Sequence, residues 1–307
     1  MDIIKDVRGT TAEYPHVVLT IGSFDGLHLG HRSIVEDVVR NARERQGTAA
    51  VLTMNPHPRE FFSREHAPNL LTCLKKKLSI LEELGVDVAF VLRFDREVAD
   101  LEPMSFVEEI IRDRCRTEML VVGHDCRFGK GAQGDFQLLE RVGPSQGFTV
   151  KQLPPLIVEA ERVSSTLIRE RVLQGDLDGI EVLLGRKYSI QGEVIKGRGV
   201  GAQIGFATAN VQPLHSAVPA QGVYVAEVLM EGHRYPAAVN IGIAPTIRHD
   251  DVTIEAHILD FAEDVLGREI EVVFHSRIRA EKKFPNREAL SAQIADDVGT
   301  VREYFES

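Results

Sequence analysis

The sequence predicts an α/β half followed by a mainly β half, and three observations carry this prediction. Strand-like apolar runs alternate with amphipathic helical stretches through the first half of the 307 residues. From Tyr188 the pattern changes to short runs of alternating apolar and polar residues, and a last stretch has helical spacing. We therefore expect a parallel sheet with helices on both faces over residues 1–184, and antiparallel strands over residues 185–307.

The elements of the first half follow from apolar continuity for strands and from periodicity for helices. Predicted strands are residues 16–22, 49–54, 86–94, 118–123 and, more weakly, 148–154. Predicted helices are residues 31–47, 73–85 and 104–115, of which the first two end at Gly47 and Gly85. Strands separated by helices in this way predict a sheet whose ligands bind at the carboxyl ends of its strands.

The elements of the second half follow from alternation with a period of two. Predicted strands are residues 188–195, 222–230, 234–242, 253–261 and 268–279. This pattern suits either a small barrel or a sandwich. A last helix follows, with Asn286 as its cap and with apolar residues at helical spacing. These apolar residues are Leu290, Ile294, Val298, Val301 and Phe305.

Composition and charge exclude several classes of protein. The chain is 43% apolar and carries a net charge of −10 without a long basic block, which argues against a general nucleic-acid binder. The three cysteines are far apart in the sequence, so neither a disulfide framework nor a thiolate zinc site is predicted. No signal pattern and no apolar run of about 20 residues is present. We therefore expect a cytoplasmic enzyme that binds neither membranes nor nucleic acids.

Three polar loops follow three predicted strands and should meet at one edge of the sheet. The loops are "IGSFDGLHLGH" at residues 21–31, "NPHP" at 55–58 and "GHDCRFGKG" at 123–131. In the first loop, Gly26 and Gly30 allow a polyphosphate close to the backbone, where a helix starting near His31 offers unpaired N–H groups. His28 and His31 can donate hydrogen bonds to phosphate oxygens as well. A glycine-rich turn with solvated histidines is the competing interpretation, and a metal site lacks a third nearby ligand.

Two segments of the chain resemble known motifs. "GSFDGLHLGH" resembles the GxFDxxHxGH motif of the nucleotidylyltransferase superfamily, and "VSSTLIRERV" resembles the SSTxxR motif of the same superfamily. The second segment places hydroxyl groups at a predicted helix start, with an arginine on the first turn, which together can bind an anion. Taken alone, it would also suit an ordinary capped helix.

The whole order of motifs resembles the bifunctional prokaryotic riboflavin kinase/FAD synthetase family. Matching segments, among them "TMNPHP", "IGFATAN", "AAVNIGIAPT" and "RIRAEKKF", run from about residue 18 to the end of the chain. The resemblance implies a Rossmann-like nucleotidylyltransferase domain at residues 1–184 and a riboflavin kinase-like β-barrel with a terminal helix at residues 185–307. It also implies phosphorylation of riboflavin to FMN by ATP, and adenylylation of FMN to FAD with release of pyrophosphate.

In the first domain the resemblance implies three groups of site residues. The catalytic residues are His28, His31 and Arg169. ATP would be bound by Gly22, Phe24, Asp25, Gly30, Ser164, Ser165 and Thr166. Flavin would be bound by Asn55, His57, Asp125, Arg127 and Phe128. The 55–58 segment also suits a plain proline-bracketed loop.

In the second domain the resemblance implies a general base, Glu255, for the ribityl hydroxyl. ATP would be bound by the glycine-rich segment around Lys196, Arg198, Gly197 and Gly205. Thr208 and Asn210 offer oxygen ligands that suit Mg²⁺. Arg279 and Glu281, followed by Phe284, match a segment that faces the flavin. A solvated strand carboxylate and a surface ion pair are the competing interpretations of Glu255 and of the last segment.

The chain departs from the family pattern at four positions. Ala202 and Ala207 replace an arginine and a proline in the kinase motif, which predicts a weaker but retained kinase. Cys126 and Ala132 replace a common phenylalanine and a common arginine, which affects flavin stacking and a flanking anion contact.

Other functions remain as alternatives. The chain could keep only one activity, most plausibly adenylylation, or it could bind flavin as a sensor without turnover. An RNA-facing protein is opposed by the acidic charge and by the absence of a basic aromatic strand face. The expected partners are ATP, riboflavin, FMN and FAD, and the expected oligomeric state is a monomer or a weak homo-oligomer.

Overall fold

The structure, a computed structural model, describes residues 1–63, 68–197, 199–215, 217–243 and 252–306. The chain forms two compact units. Unit 1 comprises Met1–Pro68 and Leu74–Ser164, and unit 2 comprises Asn69–Cys73 and Ser165–Ser307. The predicted domain boundary at 184/185 stays a prediction. The compact units show how the chain packs, and they do not show at which residue each activity begins or ends.

Unit 1 contains a parallel sheet, as the alternation of strands and helices predicts. Its strands are β1 (Asp2–Lys5), β2 (Val17–Ile21), β3 (Ala49–Asn55), β4 (Val88–Arg93), β5 (Thr117–Gly123) and β6 (Thr149–Leu153). The six strands lie in the order β1-β4-β3-β2-β5-β6 and all their pairings are parallel. A short antiparallel pair follows, made of β7 (Ile157–Val158) and β8 (Glu161–Arg162). The strand order reverses between β2 and β5, which is where open α/β sheets bind their ligands.

Helices follow most strands of unit 1. They are α1 (Leu29–Glu44), α2 (Pro58–Phe62), α3 (Leu74–Glu83), α4 (Arg96–Ala99), α5 (Pro103–Ser105) and α6 (Phe136–Gln146). α5 continues into a π-helical segment, Phe106–Arg114, and short 3₁₀ turns span Val7–Gly9 and Lys130–Ala132. The sequence did not predict β1 or α6. β1 is a short, largely exposed edge strand, and Gly143 and Pro144 interrupt the apolar period of α6.

Unit 2 contains a closed antiparallel barrel, which decides between the two predicted architectures. Its strands are β9 (Ser189–Ile195), β10 (Ala209–Pro213), β11 (Gly222–Met230), β12 (His233–Ile243), β13 (Val252–Ile258) and β14 (Glu269–Arg279). The barrel order is β10-β13-β12-β11-β14-β9, closed by the pairing of β9 with β10. The sequence did not predict β10, because its run "ANVQP" is short, partly polar and ends in proline.

The helices of unit 2 are α7 (Ser165–Gln174), α8 (Leu177–Leu184), α9 (Val200–Gln203) and α10 (Arg287–Glu306). The predicted terminal helix is confirmed together with its cap, since Asn286 Oδ1 accepts a hydrogen bond from the Ala289 N–H at 2.8 Å. Val301 of α10 is fully buried and packs in a cluster with Val225 and Ala238 of the barrel.

A five-residue strap, Asn69–Cys73, belongs to unit 2 although it comes from the first half of the sequence. The Leu70 carbonyl accepts hydrogen bonds from His215 Nδ1 and from the Ala217 N–H, each at 3.0 Å. Cys73 Sγ donates to Gln191 Oε1 on β9, also at 3.0 Å. The strap is therefore fixed to the barrel by both backbone and side-chain contacts.

The three cysteines are free thiols, and two of them are poor nucleophiles. Burial raises the pKa of the Cys126 thiol to about 12, and burial raises the pKa of Cys115 above its ordinary value as well. At neutral pH both side chains are therefore protonated. Across the described ranges, none of the helices combines the length and apolarity needed to cross a bilayer.

Candidate active sites

The first candidate site is the turn between β2 and α1 in unit 1. Three residues of the turn have left-handed backbones, with φ of 48° at Phe24, 84° at Gly26 and 41° at Leu27. Phe24 and Leu27 tolerate this conformation because their side chains are buried in an apolar cluster with Ile80 and Leu81 of α3. The turn is therefore tight and is anchored by its apolar side chains.

His28 caps α1, which begins at Leu29, two residues before the predicted start. His28 Nδ1 accepts the His31 backbone N–H at 3.2 Å. A neutral imidazole that accepts at Nδ1 carries its proton on Nε2, and Nε2 is then a donor. The His28 side chain is therefore set up to donate a hydrogen bond beside the positive end of a helix dipole.

The two histidines of the motif are brought together. Their rings stack with centroids 3.6 Å apart and planes 15° from parallel, and the Phe24 ring meets His31 edge-on at 5.3 Å. A Cβ on Gly30 would lie 3.2 Å from the His28 ring, so a larger residue here would press on that ring. His28 is only 6% exposed, which disfavours the interpretation of a turn with two solvated histidines. Asp25 is buried in the same turn.

A buried cation that no sequence motif indicated lies beneath this turn. Lys77 of α3 is 6% exposed, and its Nζ donates to the Ser23 carbonyl at 2.6 Å and to Thr53 Oγ1 at 3.3 Å. One signal could have revealed it, since Lys77 shares the inner face of α3 with Ile80 and Leu81 at helical spacing.

An apolar cavity of about 240 Å³ opens beside Gly22, at the start of the turn. Its lining also includes Ile21, Leu52, Met54, Pro58, Phe62, Phe94, Phe106, Arg127, Phe128 and Ala132. The ring centroids of Phe106 and Phe128 are 5.5 Å apart. The Phe62 ring meets the Phe94 ring edge-on, with their centroids 6.0 Å apart. Aromatic walls of this kind suit a flat apolar ring. Phe62, which is 61% exposed, was not singled out from the sequence.

Of the residues predicted to bind flavin in unit 1, Arg127 and Phe128 line this cavity. His57 instead caps α2, since its Nδ1 accepts the Arg59 N–H at 3.2 Å and Glu60 returns a contact to the His57 N–H. Asp125 is largely exposed and pairs with Arg162 at 3.0 Å. Asn55, His57 and Asp125 are not part of the described cavity lining. Two of the four departures from the family pattern lie in unit 1. Ala132 lines the cavity, and Cys126 packs against the core of the sheet.

The second predicted motif spans the boundary between the two units. Ser164 ends unit 1, whereas Ser165, Thr166 and Arg169 belong to α7 of unit 2. α7 begins at Ser165, as the motif predicts. Arg169 is the fifth residue of α7, so the prediction that it lies on the first turn is wrong, because a turn contains 3.6 residues. Its Nε donates to the Asn69 carbonyl at 2.8 Å.

The second candidate site is a cavity of about 320 Å³ in unit 2. Five side chains predicted from the sequence line it, namely Thr208, Asn210, Glu255, Arg279 and Glu281, together with Phe284. Glu255 on β13 lies directly opposite Asn210 on β10 and opposite Asn240 on β12. Directly paired residues of neighbouring strands point to the same face of a sheet. A carboxylate therefore lies between two amide side chains in a row across three strands.

The oxygen donors of this cavity suit a hard cation. Thr208 and Asn210 are two residues apart and offer a hydroxyl and an amide oxygen. Gly197 makes room for this arrangement, since a Cβ on Gly197 would overlap the Asn210 side chain. Lys196 is exposed, Gly205 has a φ of 90°, and Arg198 lies outside the described residues. In the described part of the chain, no group of three His, Cys, Asp or Glu side chains is placed to hold a metal ion.

An ion pair forms part of the cavity wall. Arg279 Nη2 contacts Asp297 Oδ2 of α10 at 2.7 Å, and Arg279 Nε contacts Asp297 Oδ1 at 2.9 Å. The Arg279 guanidinium also lies over the Phe284 ring, 5.7 Å from its centroid. Glu281 packs against the backbone of Gly242, where a Cβ would lie 2.7 Å from Glu281 Oε1. Arg279, Glu281 and Phe284 were predicted from the sequence, but Asp297 was not.

His257 supports the segment before β10. Its Nδ1 donates to the Ala207 carbonyl at 2.8 Å, and its ring meets Phe206 edge-on at 5.4 Å. This contact holds the backbone at the position where the family usually has proline. Ala202, the other departure in this motif, lies in α9. Neither His257 nor Asn240 was singled out from the sequence, although both lie in segments that carry the resemblance.

Comparisons with known proteins cover the same two halves. A family model of FAD synthetase matches residues 10–167, and a family model of riboflavin kinase matches residues 184–305. Three relatives are described as bifunctional riboflavin kinase/FMN adenylyltransferase. The protein of Escherichia coli strain K12 is 40% identical over 99% of this chain and 98% of its own length. That of Haemophilus influenzae is 36% identical over 100% of both chains, and that of Bacillus subtilis is 34% identical over 94% and 92%.

The fold as a whole is also found in a solved structure. A Streptococcus pneumoniae chain, described as a macrolide-efflux protein, matches with a TM-score of 0.85 and 26% identity. The match covers 98% of this chain and 99% of that chain. The likeness therefore extends from one end of the chain to the other.

Proposed function

The chain belongs to the bifunctional riboflavin kinase/FMN adenylyltransferase family, and on that premise we propose which residues carry each reaction. The chain phosphorylates riboflavin to FMN with ATP and adenylylates FMN with ATP to give FAD. We assign adenylylation to the turn around His28 and kinase chemistry to the cavity around Glu255. One observation carries this assignment: the turn around His28 and the side chains around Glu255 lie in different compact units, each beside a cavity of its own.

In adenylylation, a phosphate oxygen of FMN attacks the α-phosphorus of ATP, and the bond to pyrophosphate breaks. His28 Nε2, His31 and the N–H groups at the start of α1 donate to phosphate oxygens and stabilise the charge of the transition state. The reaction needs no covalent intermediate on the enzyme, so these groups act by orientation and charge neutralisation. Ser164, Ser165, Thr166 and Arg169 are proposed to bind phosphate as well.

The flavin ring of FMN is proposed to occupy the apolar cavity beside Gly22. Phe62, Phe106 and Phe128 offer aromatic surface, and Arg127 offers a cation at the same cavity. Burying the ring against these walls removes apolar surface from water, which favours binding. Asn55, His57 and Asp125 do not line this cavity. They stay proposed flavin-binding residues because each lies within two residues of a lining residue in the sequence.

In the kinase reaction, the Glu255 carboxylate accepts the proton of the ribityl hydroxyl as that oxygen attacks the γ-phosphorus and ADP leaves. Asn210 and Asn240 flank this carboxylate. Enzymes of this kind use ATP with a divalent metal, and we propose Mg²⁺ bound by Thr208 and Asn210 together with phosphate oxygens. The cation neutralises phosphate charge when it is bound. Lys196, Gly197 and Gly205 are proposed to contact the ATP phosphates.

Two single substitutions test both assignments in the same chain. We expect Glu255→Gln to lower FMN formation from riboflavin by about a hundredfold or more while FAD formation from FMN is retained. His31→Ala should do the reverse, lowering adenylylation by about a hundredfold or more. Products are separated by chromatography after incubation with ATP, Mg²⁺ and either flavin. The retained reaction shows that each variant is folded. A variant that loses both reactions, or neither, contradicts its assignment.

The substrates proposed here are small molecules, and the acidic net charge of −10 argues against a nucleic-acid partner. The free cysteines suit a reducing compartment, so we propose that the chain works in the cytoplasm.

A further inference from the structure

A buried ammonium group lies beneath the proposed phosphate-binding turn, on the face of α3 that packs against this turn. Lys77 is 6% exposed, and its neighbours on the same helical face, Ile80 and Leu81, pack against Phe24 and Leu27. Removing a lysine ammonium from water is costly unless the charge is compensated by hydrogen bonds. An apolar side chain at this position would complete the apolar face of α3, so packing alone does not explain a lysine.

The contacts of Lys77 determine the orientation of one peptide group. Lys77 Nζ donates to the Ser23 carbonyl at 2.6 Å, and Thr53 Oγ1 donates to the same carbonyl at 3.3 Å. In a trans peptide the C=O and the N–H point in opposite directions. With the Ser23 carbonyl held inward by two donors, the N–H of Phe24 is directed away from Lys77, towards the outer side of the turn. Phe24 itself has a left-handed backbone, with a φ of 48°.

We propose that Lys77 is a positioning residue for adenylyl transfer, which holds the Ser23–Phe24 peptide so that its N–H faces the ATP phosphates. The fixed positive charge also lies behind a turn that receives a polyanion. Fixed charges and oriented N–H groups in a site that excludes water stabilise phosphate without reorganising during the reaction. This inference rests on the proposed function of the turn, because it assumes that ATP phosphates bind there.

The test replaces the ammonium with an apolar group of similar length, Lys77→Met. A charge-assisted hydrogen bond that orients a donor contributes a factor of roughly 10–100, so we expect kcat/KM for ATP in adenylylation to fall about tenfold or more. The KM for FMN should stay within about twofold, and riboflavin phosphorylation should not change. The melting temperature should fall by no more than a few degrees, because methionine fills the same space and Thr53 still donates to the Ser23 carbonyl. A residue with a merely structural role would lower stability together with activity.

The matched control is Lys75→Met, which removes the same charge from an exposed position of the same helix. An adenylylation kcat/KM for ATP within about twofold between Lys77→Met and Lys75→Met would overturn the proposal. His31→Ala is measured in parallel. If His31→Ala also leaves adenylylation intact, the assignment of the turn itself fails, whereas loss in His31→Ala alone rejects only the role of Lys77.

A second variant keeps the proposal testable if Lys77→Met does not fold. Thr53→Val removes the other donor to the Ser23 carbonyl and leaves the ammonium in place. We expect kcat/KM for ATP in adenylylation to fall by about threefold to tenfold, again without a change in riboflavin phosphorylation. An unchanged value in a folded Thr53→Val protein would contradict the idea that the orientation of this peptide matters.

Discussion

At the scale of single residues, Arg279 reaches the kinase cavity with its charge already paired. Asp297 is almost fully buried and contacts Arg279 through both carboxylate oxygens, and Gln293 donates to the same carboxylate at 3.1 Å. A guanidinium held in this way is not available as a free phosphate anchor. It serves instead as a rigid surface over the Phe284 ring, so Asp297 determines the shape of the proposed flavin wall.

We expect Asp297→Asn to raise the KM for riboflavin by about tenfold and to lower the free energy of unfolding by roughly 3 kcal/mol, because it leaves the half-buried Arg279 guanidinium without its counter-ion. Steady-state kinetics and denaturant unfolding measure the two effects. Asp296→Asn, an exposed neighbour on the same helix, is the control and should change neither quantity. An unchanged KM for riboflavin in Asp297→Asn would show that this wall does not contact the flavin.

Site residues that lie in distinctive segments could be predicted from the sequence, whereas those that depend on tertiary pairing could not. Glu255, Thr208 and Asn210 were found because they lie in motifs. Asp297 was missed because it is one polar residue in a helix with several, and its partner Arg279 lies 18 residues away. Lys77 was missed because lysine is usually exposed, although its helical position contradicted that expectation.

At the scale of elements, α10 is attached to the barrel by a histidine with two partners. His275 Nε2 contacts Glu227 Oε2 at 2.9 Å, and the hydroxyl oxygen of Tyr304 on α10 lies 3.4 Å from His275 Nδ1. A neutral ring satisfies both contacts, with Nε2 donating to the carboxylate and Nδ1 accepting from the tyrosine. Burial lowers the pKa of His275 below its ordinary value, although Glu227 raises that pKa. Arg234, Lys187 and Glu181 are the other charged groups nearby.

The lowered pKa predicts a pH-dependent attachment of α10. Since the pKa of His275 is lower in the folded chain than in the unfolded chain, the unfolded chain binds more protons as the pH falls through this interval. The stability contribution is therefore present above the unfolded pKa and is lost on acidification. Between about pH 7 and about pH 5, we expect the melting temperature of the native chain to fall more steeply than that of His275→Gln. His233→Gln, at an exposed histidine of β12, should retain the steep dependence. Parallel curves for all three proteins would contradict this prediction.

Helices and strands differ in how well the sequence predicts them. Long periodic segments such as α1, α3 and the paired strands β11 and β12 were predicted close to their observed bounds. The edge strand β1, the helix α6 and the short strand β10 were not, because their stability comes from neighbours and not from their own pattern. The choice between barrel and sandwich also depended on tertiary structure, since only the pairing of β9 with β10 closes the sheet.

At the scale of the whole molecule, the compact units and the proposed domains divide the chain at different residues. α7 and α8 belong to unit 2, and Leu177, Ile180, Leu183 and Leu184 of α8 are buried there. The family models leave residues 168–183 unmatched between them. A kinase domain that begins at residue 185 therefore lacks the apolar face of α8, which packs against β14.

We expect a fragment of residues 165–307 to be more stable than a fragment of residues 185–307. Each large apolar side chain that loses its cover costs about 1.5–3 kcal/mol, so the difference in the free energy of unfolding should amount to several kcal/mol. Urea unfolding measures this difference, and riboflavin phosphorylation reports whether each fragment is native. Both fragments lack the strap, so the comparison isolates the two helices. Equal stabilities would contradict this prediction. They would show that α7 and α8 do not stabilise the barrel, and that the fold can begin at residue 185.

The strap at residues 69–73 has a consequence for the order of synthesis. On the ribosome the N-terminal residues emerge first, so Leu70 is exposed before His215, its partner 145 residues later, has been translated. At typical elongation rates, a time on the order of 10 s passes between the synthesis of the strap and the synthesis of His215. During this time the strap cannot form its hydrogen bonds to the barrel. The barrel therefore completes its hydrogen bonds only after translation has nearly ended, by recruiting a peptide made long before. A circularly permuted gene that begins at residue 165 would reverse this order, and its product would place the strap after the barrel strands that bind it.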